Sequence, residues 1–99
     1  MKRGGIYRYE PKGSPRRRDV LIVSADGIND STRSWLYALD VRDGDSGDLL
    51  TVRLPDGRWA DGCSLTRVYR DWLTGPEQCA VDRETLHNVE AMLRSGLDL

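Results

Sequence analysis

The strongest apolar signal in the chain is the run Val20-Leu21-Ile22-Val23. Consecutive β-branched and aliphatic side chains without polar alternation predict a strand covered on both faces. Upstream, Ile6, Tyr7 and Tyr9 favour a first strand from Gly5 to Tyr9. Pro11-Lys12-Gly13-Ser14-Pro15 then breaks regular structure, and the chain through Arg18 reads as a basic loop. Asp26-Gly27 and Asn29-Asp30-Ser31 supply turn chemistry. Ser34 to Val41 reads as a third strand with Trp35, Tyr37, Leu39 and Val41 on one face. Leu50-Thr51-Val52-Arg53-Leu54 alternates with period two and meets the turn Pro55-Asp56-Gly57-Arg58 before Trp59, which predicts a hairpin with a short second arm. Cys63 to Val68 is a further strand candidate, and Thr74-Gly75-Pro76 is expected to stop what precedes it.

The last stretch changes period. Leu86, Val89, Leu93 and Leu97 recur at spacings of three and four, the stripe of a helix lying on a sheet. Asp82 suits its N-cap and Glu84 the positive end of its dipole. Glu90 and Arg94 stand in the favourable (i, i+4) order, and Gly96 can close the helix. Many short strands separated by turns, followed by one helix, predict a mainly β, α+β fold: a small barrel of five to seven short strands with a C-terminal α-helix.

Ninety-nine residues make one domain, 1–99, with one modest core. Apolar residues are 38% and charged residues 31%, as in ordinary globular proteins. No apolar run is long enough to span a bilayer, and the basic N-terminus lacks an apolar stretch behind it, so a cytoplasmic protein is expected. The spacing of Cys63 and Cys79 fits no metal motif, and His87 has no second ligand near it in sequence, so no metal and no cofactor are expected. Asp43 to Asp48 resembles a calcium loop superficially but lacks the required downstream Glu. Net charge is −1, yet residues 1–18 carry +6 and residues 19–99 carry −7. That asymmetry points to an anionic partner at one end, while the acidic balance of the rest argues against generic nucleic-acid coating.

Several motifs, in order, resemble one family. Gly4-Gly5-Ile6-Tyr7 looks like the opening strand of MazF/PemK toxins, with Gly5 where the family has an acidic residue. Arg18-Asp19-Val20-Leu21-Ile22-Val23-Ser24 resembles its Arg-Pro-Val-Leu-Val-Val-Ser, with Asp19 in place of Pro. Ala25 to Asn29 continues the match, and Leu65 to Leu73 and Ala80 to Leu86 are similar to its late strand and helix start. The resemblance implies an SH3-like barrel, a homodimer, and the toxin of a type II toxin-antitoxin system neutralised by a cognate antitoxin. It also implies an mRNA interferase, an endoribonuclease that cuts single-stranded RNA without a metal. By the resemblance Arg18 is the catalytic guanidinium, a permanently charged donor fork suited to a phosphorane.

The family's second catalytic position, a Thr or Ser, falls on Val41, which moves no proton. Either the register is off by one and Asp40 is the base, or the site has been lost. Lys12, Arg16, Arg17 and Arg42 are the candidate phosphate contacts and Trp72 the candidate exposed aromatic for RNA stacking. Trp35 and Tyr37 are assigned to the core or a dimer face. The alternative function is a catalytically degenerate or non-enzymatic barrel, a CcdB-like gyrase-directed toxin or a protein-binding module. The tail Gly96-Leu97-Asp98-Leu99 lacks the Trp-Gly-Ile ending of the gyrase-binding type.

Overall fold

Val20, Leu21 and Ile22 have no exposed surface, because packing covers both sides of their strand. The computed structural model describes residues 2–44 and 50–96. Its strands are β1 (Gly5–Tyr9), β2 (Arg18–Ile22), β3 (Trp35–Arg42), β4 (Thr51–Arg53), β5 (Trp59–Tyr69) and β6 (Leu73–Ala80). A four-residue helix α1 (Asp26–Asn29) follows β2, and the long helix α2 (Arg83–Gly96) follows β6. The strands form one antiparallel sheet in the order β4-β5-β3-β2-β1-β6.

Register explains the two cores. Ile6 pairs with Leu21, and Leu21 with Leu39, so all three side chains project to one face. There α2 lays Val89 and Met92 over them, together with Leu54 and Ala60. On the opposite face Tyr7, Tyr9, Val20, Ile22, Leu36, Ala38 and Val68 form a second cluster, closed by Ile28, Trp72 and Leu73. The sheet curls until its ends approach. Arg58, at the start of β5, donates to Asp19 of β2 and to Gln78 of β6 (3.3 Å), and Gln78 donates to Asp19 (3.0 Å). The small barrel-like α+β fold expected from the pattern is therefore the one observed.

Three local expectations are corrected and a fourth is narrowed. The stretch read as turns after Asp26 contains one turn of helix, α1, whose carbonyl end is held by Arg70: its guanidinium donates to the carbonyls of Asn29 (2.7 Å) and Ser31 (3.3 Å). Thr74-Gly75-Pro76 does not stop a strand but lies within β6. Proline is tolerated there because β6 is an edge strand and its register against β1 jumps between Ile6 and Arg8, where Gly75 takes φ 72°. The second arm of the hairpin is no short segment; β5 runs unbroken for 11 residues from Trp59. Of the two places expected for Trp35 and Tyr37, the core and a dimer face, the core is set aside: they belong to neither core cluster, and Tyr37 is 38% exposed. Along that side of β3 the core packs against Leu39 and Val41, leaving the Trp35 end uncovered.

The helix follows its pattern closely. Asp82 accepts the Thr85 N–H at 3.0 Å, and Val89 and Leu93 face the core. Met92, absent from the expected stripe, is buried as well. Glu90 pairs with Arg3 at 2.8 Å. Leu97, the end of the stripe, lies outside the described residues, as does most of the Asp43–Asp48 loop. No helix among the described residues is long and apolar enough to cross a membrane.

Candidate functional site

The second core cluster runs out along β2 and β3, and charges replace it. Arg18 shares a strand face with Val20 and Ile22, and Asp40 and Arg42 share one with Leu36 and Ala38. Beside them the β3–β5 ladder is interrupted. Ala38 pairs with Thr66 but Asp40 pairs with Asp61, so residues 62–65 bulge out of the ladder. The bulge is knit by its own polar groups. Asp61 Oδ1 accepts the Cys63 N–H (2.9 Å), the Ser64 hydroxyl donates to the Asp61 carbonyl (2.6 Å), and Ser64 Oγ accepts the Asp40 N–H (2.8 Å).

These elements enclose an open cleft of about 450 Å³ lined by Arg16, Arg18, Asp40, Arg42, Asp61 and residues 63–66. Three guanidiniums face two carboxylates in it, a surplus of one positive charge. Both aspartate side chains are 7% exposed. Asp40 accepts Arg18 Nε at 2.7 Å on one oxygen and Arg16 Nη2 at 3.0 Å on the other. Asp61 accepts Arg42 Nε at 2.9 Å. Buried carboxylates must be paired, since an isolated charge loses its hydration; here each serves as the anchor of a guanidinium. Arg18 is held further by the face of Tyr9, 5.0 Å from its guanidinium carbon. Its Nη1 and Nη2 donors have no hydrogen-bond partner among the described residues, and the residue lines the cleft. The Thr66 hydroxyl is likewise without a partner among the described residues.

The cleft thus brings together Arg16, Arg18, Asp40 and Arg42 of the expected set. Lys12 and Arg17 are exposed on the β1–β2 loop, outside its lining. Trp72 is not an exposed aromatic. It is half-buried, 4.8 Å from Tyr69 and 6.2 Å from Tyr9 between ring centroids, and packs against the second cluster. Val41 packs on the first cluster, on the face opposite Asp40, so a hydroxyl at that position would point into the core. The cleft-facing positions of this strand end are 40 and 42.

Asp61, Ser64 and Thr66 were not legible as site residues. Gly62 inside a strand pattern is the one sequence signal of a bulge or close backbone approach, but only the pairing with β3 turns these side chains toward Asp40. No group of three or more His, Cys, Asp or Glu among the described residues is arranged to hold a metal ion. Burial, reinforced by Asp56, pushes the Cys79 thiol above its ordinary range, away from thiolate chemistry.

No protein-family model matches this chain, and no curated protein does. Solved structures do resemble it. An endoribonuclease from Mycobacterial species has a TM-score of 0.84 at 19% identity, covering 100% of this chain and 92% of that one. The Mycobacterial endoribonuclease in complex with its cognate antitoxin gives 0.85 at 19%, covering 100% and 96%. MazF from Deinococcus radiodurans gives 0.83 at 17%, covering 100% and 97%. The chain from end to end therefore has the fold of these endoribonucleases and of MazF, the fold that the MazF/PemK resemblance implied.

Proposed function

We propose that this protein is the toxin of a type II toxin-antitoxin system, a metal-independent endoribonuclease that cleaves single-stranded RNA in the cleft between β2, β3 and the β5 bulge. The observation that carries the reading is the convergence of Arg16, Arg18 and Arg42 on one cleft, with Arg18 and Arg42 anchored by buried carboxylates. A phosphodiester seated there meets preorganised, permanently charged donors, which is what a developing pentacoordinate phosphorane requires. In the proposed reaction the 2′-hydroxyl oxygen bonds to the adjacent phosphorus. The bond from phosphorus to the 5′-oxygen of the next nucleotide breaks, leaving a 2′,3′-cyclic phosphate, and the departing 5′-oxygen takes a proton from water to become a 5′-hydroxyl end. Arg18, which lines the cleft, stabilises the added negative charge.

Asp40 is the candidate base for the 2′-hydroxyl proton. Both its oxygens accept a guanidinium, but the two contacts differ. The Arg18 side chain is 19% exposed and the Arg16 side chain 65%. Arg16 is thus the partner that an incoming phosphate draws away, freeing Oδ2. Lys12 and Arg17, exposed on the same loop, extend the cationic surface along the strand.

The solved complexes of a Mycobacterial endoribonuclease with its cognate antitoxin and of MazE with MazF support a cognate antitoxin as the protein partner here. A cytoplasmic homodimer completes the reading. The deciding experiment is a digest of a long RNA by purified protein in EDTA, with ends mapped at nucleotide resolution. Reproducible cuts ending in cyclic phosphate are expected; intact RNA at high protein concentration would refute the enzyme. A second reading, a non-enzymatic barrel that binds only protein, is favoured by one observation: both cleft carboxylates already offset arginines, leaving a small net charge. Intact RNA in the same digest would select it.

A further inference from the structure

Asp61 lies directly across the β3–β5 ladder from Asp40 and is equally buried. Three separate groups depend on it. Its Oδ2 accepts Arg42 Nε at 2.9 Å, its Oδ1 accepts the Cys63 N–H at 2.9 Å, and its carbonyl accepts the Ser64 hydroxyl at 2.6 Å. Ser64 in turn accepts the N–H of Asp40, the residue that holds Arg18. A carboxylate in an anion-binding cleft opposes binding by simple electrostatics, so its presence calls for a task other than attraction. Arg42 is 47% exposed and stands at the end of β3. Without a fixed acceptor its long side chain samples many rotamers, and ordering it then falls on the reaction itself.

We propose that Asp61 is a positioning residue for RNA cleavage, holding Arg42 on the cleft wall and tying the bulge to the backbone beneath Asp40. This rests on the endoribonuclease reading above. It gives the cleft two independently anchored guanidiniums, Arg18 on Asp40 and Arg42 on Asp61, facing the phosphate from adjacent strand positions. It also makes an unusual prediction about the sign of two constants. Asp61→Asn keeps the size and an acceptor for the Cys63 N–H but removes one negative charge. RNA binding then tightens, with a salt dependence steeper by about one unit of slope. The rate constant at saturation falls by roughly ten-fold or more, because Arg42 is no longer fixed.

The experiment measures kcat and KM for a short single-stranded RNA cut by the wild-type protein. It does the same for Asp61→Asn, Arg42→Ala and the double variant, each with its thermal midpoint. The expected result is a lower kcat with an unchanged or lower KM in Asp61→Asn, an unaltered midpoint, and no further loss when Asp61→Asn is added to Arg42→Ala. An additive loss in the double variant, a raised KM in Asp61→Asn, or a fall in kcat that only tracks a lowered midpoint would overturn the positioning role. A wild-type protein that leaves the RNA intact removes the endoribonuclease reading and this proposal with it. Wild-type cleavage with an additive cycle removes only the proposal.

Discussion

Removing Arg18 separates catalysis from folding by magnitude. In Arg18→Ala the carboxylate of Asp40, 7% exposed, loses its 2.7 Å partner but keeps the 3.0 Å contact from Arg16. Breaking a buried ion pair by deleting one member costs about 3–5 kcal/mol when the survivor is left bare. Here a second guanidinium remains and Arg18 is itself 19% exposed, so the cost falls to about 1–2 kcal/mol. A domain of this size has roughly 5–15 kcal/mol of stability, so the variant stays almost wholly folded at 25 °C. Its thermal midpoint drops by about 4–8 °C per kcal/mol. Losing one preorganised charged donor to a developing oxyanion costs about 10²–10³ in kcat. Activity therefore falls a hundred-fold or more while the folded fraction barely changes. The assay is the initial rate of RNA cleavage in EDTA at saturating RNA, with circular-dichroism melts on the same preparations. Arg18→Lys, which keeps the charge but not the fork, is expected to recover only part of the loss. Undiminished cleavage by Arg18→Ala, or a loss matched by the unfolded fraction, refutes the assignment.

Other expectations follow from the packing. Trp72→Ala removes a half-buried ring from against Tyr9, Tyr69 and the second core cluster. It is expected to cost about 2 kcal/mol in urea denaturation while leaving KM for RNA unchanged, and a raised KM at unchanged stability would restore the stacking role. Gly62→Ala places a Cβ 2.9 Å from the Leu50 carbonyl oxygen and 3.0 Å from Met92. Backbone cannot give way as a side-chain tip can, so a loss of about 1–3 kcal/mol is expected in the same assay; a neutral result would mean that the bulge relaxes. In acid, burial is the largest single influence on the Asp56 carboxyl and pushes it up, but the hydrogen bonds and charge of Arg58 together hold it below its ordinary range, and Asp82 is lowered by its bonds from Thr85. Both bind protons less readily folded than unfolded. Their stabilisation is thus complete above the ordinary carboxylate range, near pH 4, and is lost as pH falls below it. Thermal melts from pH 7 to 2 should show this, and an Asp56→Asn/Asp82→Asn variant should show a shallower acid slope; an unchanged slope refutes the linkage.

The sequence by itself determined β1 to β4, parts of β5 and the long helix, in order, but neither α1 nor β6. Val20 to Val23 announced a strand covered on both faces because an apolar run has nowhere else to go. The spacing of Leu86, Val89 and Leu93 after Asp82 announced the helix, because a 3.6-residue period and a cap are local properties. Arg18, Asp40, Arg16 and Arg42 were legible as candidate chemistry from residue type and family resemblance. Tertiary structure alone decided which of them meet. Strand alternation sends Asp40 and Arg42 to the cleft and Val41 to the core, a distinction of one residue that counting along the chain does not resolve. The β5 bulge that brings Asp61 and Ser64 beside Asp40 exists only as a mismatch between two strands. So does the irregularity that lets Gly75 and Pro76 remain in β6. Trp72 follows the same logic, since burial of an aromatic depends on what lies opposite, and its neighbour Tyr9 is far away in sequence. Local signals thus specify most of the elements, and pairing between distant strands specifies the rest and which side of each element does the chemistry.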